Sequence, residues 1–547
     1  MREGVADRIV RSMKSFFGSS FAAQLERQLV LRFMVIVVSS IGLYALLTGM
    51  FPLPTYLPRG RASIGTITQR STEGAVTLAS IGIALYSLYV LGAITAWRYR
   101  PRYAAPIMWI GAIGAALVLL WSYPTTSTDL FDYVFRARMA VTYDANPYLA
   151  LPNQFKTDRW FRYVGWPNAP SAYGPLWELI SASIVRLGGA SLLTNILLYK
   201  LIALATHLGS AALIWHLIDD KRIKVLGTFL WLWSPLVLWE LVAVGHNDGL
   251  IVLALLLALW AVRGDRHWLA VLALTAGALF KFLPALFLPL VVLHWLRRKL
   301  TWQQRLGTCA VALLLVGVPT IVLYAPYWDL PANFAQLPVA DQINAIWQGR
   351  TTTLRNIRVR EGFLNASPLA TISYLLRSAS SVEWINAQRT QLGFQPTTEI
   401  GIRGAISTLG TVLLGLGVIW QCWQIWFRRR SLLPAFAGLL LWYLVAGSQW
   451  FQPWYLTWLL ALIALRPQRT GIATITVWAM LAQASYLLQY IVLPRLDIGG
   501  QTLQAQVLYL LLIYPLPFMV WWLTRHDRSQ HQPPSDRAAA QRSVPQL

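Results

Sequence analysis

Stretches of about twenty apolar residues recur along the chain, and they constrain its fold more than any other feature. A helix of that length crosses the ~30 Å hydrocarbon core of a bilayer. Of the 547 residues, 56% are hydrophobic and only 12% are charged, about half the charged share of a soluble domain. The sequence therefore predicts an all-α polytopic membrane protein with about 12–14 transmembrane helices. The candidate spans are 33–51, 74–97, 104–123, 191–218, 225–245, 247–263, 267–281, 283–296, 305–324, 405–427, 432–450, 453–466, 471–493 and 505–524.

Two segments do not have the length of a single crossing. The stretch 267–296 is too long for one span and contains Pro284 and Pro289. Because proline interrupts the hydrogen bonds of a helix, we predict a break near Lys281. The segment 174–189 is apolar but short, which predicts an interfacial or re-entrant helix.

Basic residues cluster at the ends of the apolar runs, and their distribution predicts the orientation of the chain. The net charge is +24, but such clusters are typical of juxtamembrane anchors and argue against nucleic-acid binding. With a cytoplasmic N-terminus and alternating spans, the short basic loops all face the cytoplasm. Their residues are Arg98, Arg100, Arg102, Lys221, Arg222, Lys224, Arg297, Arg298, Lys299, Arg428, Arg429, Arg430, Arg466 and Arg469.

This orientation divides the chain into three parts. A cytoplasmic N-terminal segment, 1–32, precedes the transmembrane domain, 33–524, and a disordered cytoplasmic tail, 525–547, follows it. The extracytoplasmic face receives two long loops, the first outer loop (124–173) and the second outer loop (325–404). Long polar loops on one side indicate that recognition or chemistry takes place there.

The first outer loop begins with carboxylates spaced to share one face of a short helix, namely Asp129 and Asp132 with Arg136. Local structure explains the same residues, because Thr126 and Asp129 fit a capping box and Asp132 and Arg136 fit an i,i+4 ion pair. Residue types alone favour this structural explanation. The segments 144–148 and 172–177, later along this stretch, are likewise typical of turns.

Three further polar groups occur at outer junctions between helices. A polar turn (Gly245–Gly249) contains His246, Asn247 and Asp248, and Glu240 precedes it within an apolar run. Either these residues form an ordinary polar turn with a hydrogen-bonded structural carboxyl, or they face a polar cavity, as ionisable groups at membrane depth commonly do. Lys281 is either a snorkelling lysine or a cation for a lipid-linked phosphate. The segment 449–455 is either an interfacial aromatic belt or an aromatic wall for a prenyl chain or sugar.

Taken in order, these motifs resemble the GT-C glycosyltransferases that use polyprenyl-phosphate-linked sugars, especially their bacterial mannosyltransferase branch. The resemblance covers about residues 120–460. It implies that outer loops form the catalytic surface and that an acidic residue of the first outer loop is the base. The chain departs from the family pattern at two positions. Thr128 precedes Asp129, where the family often has a second acidic residue, and Ala137 precedes Arg138, where the family usually has glycine. These differences leave open which of Asp129 and Asp132 is the base. The residues that carry the resemblance are Asp129, Tyr133, Arg138, Asn146, Tyr148, Tyr173, His246, Asn247, Asp248, Lys281, Gln452, Trp454 and Tyr455.

The resemblance implies transfer of a single sugar, expected to be mannose, with inversion at the anomeric carbon. We expect Asp129 or Asp132 to be catalytic, with Asp129 favoured, and Lys281 and Arg138 to bind the donor phosphate. The expected partners are a polyprenyl-phosphate sugar, a glycan or glycolipid acceptor and the plasma (inner) membrane. No cofactor is required, although the sparse outer carboxylates are compatible with one divalent cation. Expected substrate-binding residues are Tyr133, Asn146, Tyr148, Tyr173, Glu240, His246, Asn247, Asp248, Gln452, Trp454 and Tyr455.

Two other functions fit parts of this pattern. A transporter or flippase for lipid-linked saccharides is one, but such proteins place ionisable residues near the midplane on broken helices. Here the acidic residues of interest lie at one surface in long loops, which favours an enzyme. The other is a GT-C ligase that transfers a preassembled glycan, which product size would distinguish.

Overall fold

The structure is a computed structural model that describes residues 5–98, 104–331, 333–358 and 364–530. Regular structure within these ranges is helical, without a β-strand, as expected for an all-α protein. Eight helices there are long and apolar enough to cross a membrane, which confirms a polytopic membrane protein. They are Arg27–Met50, Thr72–Trp97, Leu192–Leu217, Ile223–Ala243, Trp302–Tyr327, Glu399–Arg428, Arg469–Arg495 and Leu503–Arg525.

The remaining predicted spans are shorter apolar helices. The total of about 12–14 crossings is reached only if most of these also cross the bilayer. Their bounds are Ala104–Leu119, Gly249–Arg263, His267–Phe280, Leu283–Leu296, Leu432–Gly447 and Pro453–Leu465.

The break predicted near Lys281 is present. Helix His267–Phe280 ends there, and Lys281 has an extended backbone, with φ −154° and ψ 131°. A 3-10 turn, Leu283–Phe287, and helix Leu288–Leu296 continue the chain, each with a proline in its first turn. Proline fits that position because the first turn needs no N–H donor, so the two prolines begin new segments.

The segment predicted to be interfacial is the helix Pro175–Gly188, whose 14 residues are too few for a crossing. At the C-terminus, helix Pro515–Gln530 continues beyond the predicted end of the last span. Residues 525–530 of the predicted tail are therefore part of this helix. Residues 531–547 of the predicted tail, and Arg100 and Arg102 of the basic clusters, lie outside the described residues.

The span Ile223–Ala243 is at the centre of the bundle, since 94% of its most apolar 18-residue stretch is buried. The corresponding share is 11% for the peripheral span Trp302–Tyr327. The C-terminal end of the central span, Leu238–Ala243, is a π-helical turn. Similar turns occur at Tyr443–Gly447 and Leu488–Val492. Such turns are frequent at functional sites. The first two lead to polar residues described below, and the third contains two of them, Gln489 and Tyr490.

Candidate active site

The first outer loop starts at a junction that hydrogen bonds fix to the end of the first span. Leu53 N donates to Trp121 O, and Tyr123 N donates to Phe51 O, both at 2.7 Å. Backbone pairing of this kind holds a loop in one position, because buried N–H and C=O groups need partners. The chain that leads to the carboxylates is therefore held close to the membrane-spanning bundle.

Asp129 is the first residue of helix Asp129–Tyr143. Its N–H donates to Ser127 Oγ at 3.1 Å, and its side chain is partly exposed. The helix begins after Thr128, so the capping box predicted from Thr126 is not formed. A carboxylate in the first turn is stabilised by the positive end of the helix dipole.

Asp132 has a different environment from Asp129. It is buried, and its two carboxylate oxygens accept hydrogen bonds from Gly165 N and Trp166 N, both at 3.1 Å. Burial raises the pKa of Asp132 to about 6, against the lowering effect of Arg136 and of the two backbone donors. The side chain joins the start of the first outer loop to its later part.

A central cavity of about 410 Å³ lies beside Asp129. The predicted site residues that line it are Asp129, Tyr173, Lys281, Gln452, Trp454 and Tyr455. These residues come from the first outer loop, the helix break and the start of the short apolar helix Pro453–Leu465. The structure therefore brings together groups from distant parts of the sequence around one space, with a carboxylate and an ammonium in its wall.

Other residues of the cavity wall were not singled out from the sequence. They are Trp166, Asn365, Gln489, Tyr490 and Gln501. Asn365 connects the second outer loop to the 449–455 segment, because its N–H donates to Gln449 O at 3.1 Å and its carbonyl accepts from Phe451 N at 3.0 Å. Isolated Asn and Gln residues near loops have no pattern that reveals this placement.

Lys281 forms an ion pair with Asp248 of the polar turn. Its Nζ lies 2.9 Å and 3.1 Å from the two carboxylate oxygens, and Trp458 Nε1 donates to Asp248 at 3.0 Å. Asp248 is fully buried, whereas the Lys281 side chain is 22% exposed. The lysine therefore has one buried anchor and one side open to the cavity. Its Nζ lies 5.8 Å from the ring centroids of Tyr173 and Tyr455.

The buried pair of Glu240 and His246 lies behind the cavity wall. His246 Nδ1 is 3.0 Å from Glu240 O and 3.4 Å from Glu240 Oε2, and Tyr486 OH donates to Glu240 Oε2 at 3.1 Å. The imidazole stacks on Trp454, with 3.9 Å between the ring centroids. This pair fixes an aromatic ring that does line the cavity.

Asn247 and three tyrosines form a second supporting set. Tyr133 OH donates to Asn247 Oδ1 at 3.4 Å, and Tyr173 OH donates to Tyr133 OH at 3.4 Å. Tyr148 OH donates to the Tyr173 carbonyl at 2.9 Å. Asn146, which donates to the Tyr327 carbonyl at 2.8 Å, joins the two outer loops. Of these predicted substrate contacts, only Tyr173 lines the cavity.

Arg138 is not brought to the cavity. Its Nε lies 2.6 Å from Asp158 Oδ2, and its guanidinium is 4.4 Å from the Trp160 ring centroid. Burial of Asp158 is outweighed by hydrogen bonds from Trp160 N, Tyr143 and Arg138, which hold its pKa below its usual value. Arg138 is nine residues after Asp129 on the same helix, and at about 100° per residue the two point in opposite directions.

Gly245 allows the polar turn to pack against the Asp129 helix. Its φ is +87°, and a Cβ there would lie 3.1 Å from Leu130 Cδ2. We expect Gly245→Ala to cost about 1–3 kcal/mol of stability, because alanine is strained at this φ. Thermal unfolding in detergent measures this. Gly317→Ala is the control, because no atom lies within 4 Å of its Cβ position; equal melting temperatures for the two variants would contradict the strain argument.

In the described part of the chain, no three His, Cys, Asp or Glu side chains form a group able to hold a metal ion.

Comparison with known proteins gives one family match. Residues 33–297 match the model described as alpha-(1->6)-mannopyranosyltransferase, N-terminal domain. No curated protein and no solved structure matches the chain.

Proposed function

We propose that the protein is an integral membrane mannosyltransferase, on the premise that residues 33–297 match the alpha-(1->6)-mannopyranosyltransferase family model. It transfers one mannose from a polyprenyl-phosphate donor to a glycan or glycolipid acceptor, with inversion. The new linkage is α-(1→6), as the family description states. The observation that carries the proposal is the presence of Asp129 and Lys281 in the wall of one cavity.

The chemistry needs a base and a cation. The acceptor hydroxyl oxygen attacks the anomeric carbon, Asp129 takes its proton, and the bond from that carbon to the phosphate oxygen breaks. The leaving polyprenyl phosphate carries the electron pair of that bond, and the ammonium of Lys281 stabilises the negative charge. Because the acceptor attacks opposite to the leaving group in one step, the configuration inverts. The scheme requires no metal ion.

Asp129 is the better candidate for the base. It is partly exposed at the cavity, whereas Asp132 is buried and its oxygens already accept two backbone hydrogen bonds. Lys281 is the better candidate for the phosphate, since it lines the cavity, whereas Arg138 lies outside it and is paired with Asp158. Asp248 orients Lys281, and the Glu240–His246 pair orients Trp454. Tyr133 and Tyr148, which do not line the cavity, position the loops.

The proposed location is the plasma membrane, with cytoplasmic termini and an extracytoplasmic site that serves glycolipid synthesis in the cell envelope. The support is the distribution of short basic loops, which the positive-inside rule assigns to the cytoplasm. The residues of the cavity wall come from the loops and junctions that this assignment leaves on the other side.

Sealed right-side-out vesicles test both the activity and its side. We supply them with labelled polyprenyl-phosphate mannose and an α-(1→6)-dimannoside that cannot cross the bilayer. We expect a labelled trimannoside in the external medium, because donor and acceptor meet at the outer surface. Labelled saccharide accumulated in the lumen without trimannoside would indicate a transporter instead.

A further inference from the structure

An apolar groove of about 310 Å³ lies between three membrane-spanning helices. Its walls include Leu47 from helix Val5–Met50, Ile81 and Leu85 from helix Thr72–Arg98, and Leu481 from helix Arg469–Leu487. Ile83 of its lining is 60% exposed, so the groove opens to the apolar surface of the bundle that bilayer hydrocarbon would cover. Its apolar walls suit an alkyl or prenyl chain, which they hold by van der Waals packing.

Two polar side chains at the groove, Tyr86 and Tyr486, are hydrogen-bonded within the protein, whereas Thr126 Oγ1, where the groove meets the cavity, is buried without a hydrogen bond to any residue that the structure describes. Tyr86 OH donates to Gln483 Oε1 at 2.8 Å, and Tyr486 OH donates to Glu240 Oε2 at 3.1 Å. Away from Thr126 most of the lining side chains are apolar, so a polar ligand finds little to bind there. The groove suits the chain of an amphiphile whose polar end lies elsewhere.

The groove and the central cavity meet at Thr126, which lines both. Asp129, three residues further along the chain, lines the cavity, and Tyr490 OH donates to the Thr126 carbonyl at 3.1 Å. Lys281 lines the cavity but not the groove. The groove therefore reaches the cavity next to Thr126 and Tyr490, on the side of the proposed base.

From this junction we infer that the groove holds the hydrocarbon chain of a lipid-linked acceptor, which is a glycolipid and not a free glycan. The inference rests on the proposed function. The donor chain is attached to its phosphate, and that phosphate lies at Lys281, which has no contact with the groove. A chain in the groove therefore belongs to the molecule whose hydroxyl reaches Asp129. The two lipids approach the anomeric carbon from different sides of the cavity.

Gly82 gives a way to fill the groove without a clash. It lines the groove, and no atom lies within 4 Å of the position of a Cβ. Gly317, in helix Trp302–Tyr324 and outside the groove, has the same open surroundings. Gly82→Phe and Gly317→Phe therefore make the same change in two spans, and only the first obstructs the groove.

The test uses the full-length protein in nanodiscs, labelled polyprenyl-phosphate mannose, and an α-(1→6)-dimannoside as its methyl or its hexadecyl glycoside. We expect Gly82→Phe to raise the KM for the hexadecyl acceptor at least about tenfold, because several methylenes lose their contacts. The KM values for the methyl acceptor and for the donor should stay unchanged. Gly317→Phe should change none of them.

Each other outcome is decisive. A rise in the donor KM with Gly82→Phe assigns the groove to the donor, and an unchanged hexadecyl KM leaves it to ordinary bilayer lipid; both overturn the inference alone. Absence of transfer to either acceptor by the wild-type protein overturns the proposed function as well.

If Gly82→Phe does not fold, photocrosslinking replaces the kinetic test, with a hexadecyl dimannoside that carries a terminal diazirine. Its crosslinks to the wild-type protein should fall within 44–51, 72–98 or 469–487, which hold most of the groove lining, and crosslinks elsewhere contradict the inference.

Discussion

Replacing Asp129 with asparagine is expected to reduce mannosyl transfer by about 10²–10⁴-fold, the usual contribution of a general base. Asparagine keeps the size of the side chain at the start of the helix but cannot take the proton of the acceptor hydroxyl. The protein should still fold, because Asp129 is partly exposed and no buried hydrogen bond depends on its carboxylate among those described. Initial rates with saturating donor and acceptor measure the effect.

The matched control is Asp132→Asn on the same helix. Its amide can accept one hydrogen bond, but its NH₂ group faces the Gly165 or Trp166 N–H, which is itself a donor. We therefore expect lower thermal stability and a smaller loss of rate than in Asp129→Asn. Full activity in Asp129→Asn, together with a folded but inactive Asp132→Asn, would assign the base to Asp132.

Lys281→Met is expected to lower kcat/KM for the donor by about 10²–10³-fold, since it removes one charged group from the developing phosphate charge. The KM for the acceptor should change little, because the acceptor hydroxyl lies at Asp129. Methionine retains much of the side-chain volume, and steady-state kinetics with each substrate varied in turn separate the two effects. The variant also leaves Asp248 without its ion pair, so thermal stability is measured in parallel.

Lys281→Arg is the control for this effect. It keeps a positive charge beside Asp248, and we expect it to recover most of the stability and part of the donor kcat/KM. A Lys281→Met variant that is folded and impaired only in its KM for the acceptor would show that the phosphate role is wrong. An equal loss of donor kcat/KM in the methionine and arginine variants would show that the donor needs the shape of the lysine side chain and not only its positive charge.

The spans could be predicted from the sequence because hydropathy alone determines where a helix enters hydrocarbon. The break at Lys281 followed from two prolines and is present. The predicted orientation then placed several candidate site residues on the same side of the membrane. Tyr173, Lys281 and Trp454 were expected on one face and do line one cavity.

Other features of the site depend on contacts between distant residues, which no local pattern contains. The pairs Asp248–Lys281 and Glu240–Tyr486 join different spans. The π-helical turns that precede the polar junctions also have no signal in hydropathy. The assignment of Arg138 to the phosphate is different, because its helical phase relative to Asp129 was available in the sequence and argues against it.

The configuration of the donor tests the central claim most directly. The family forms α linkages, so transfer with inversion requires a β-linked mannosyl phosphate. The purified protein is given polyprenyl β-mannosyl phosphate or its α anomer, with methyl α-(1→6)-dimannoside as acceptor, and the products are analysed by mass spectrometry and NMR. The account predicts a trimannoside with a new α-(1→6) bond from the β donor alone. Transfer from the α anomer, a β-linked product, or no trimannoside from either donor would contradict it.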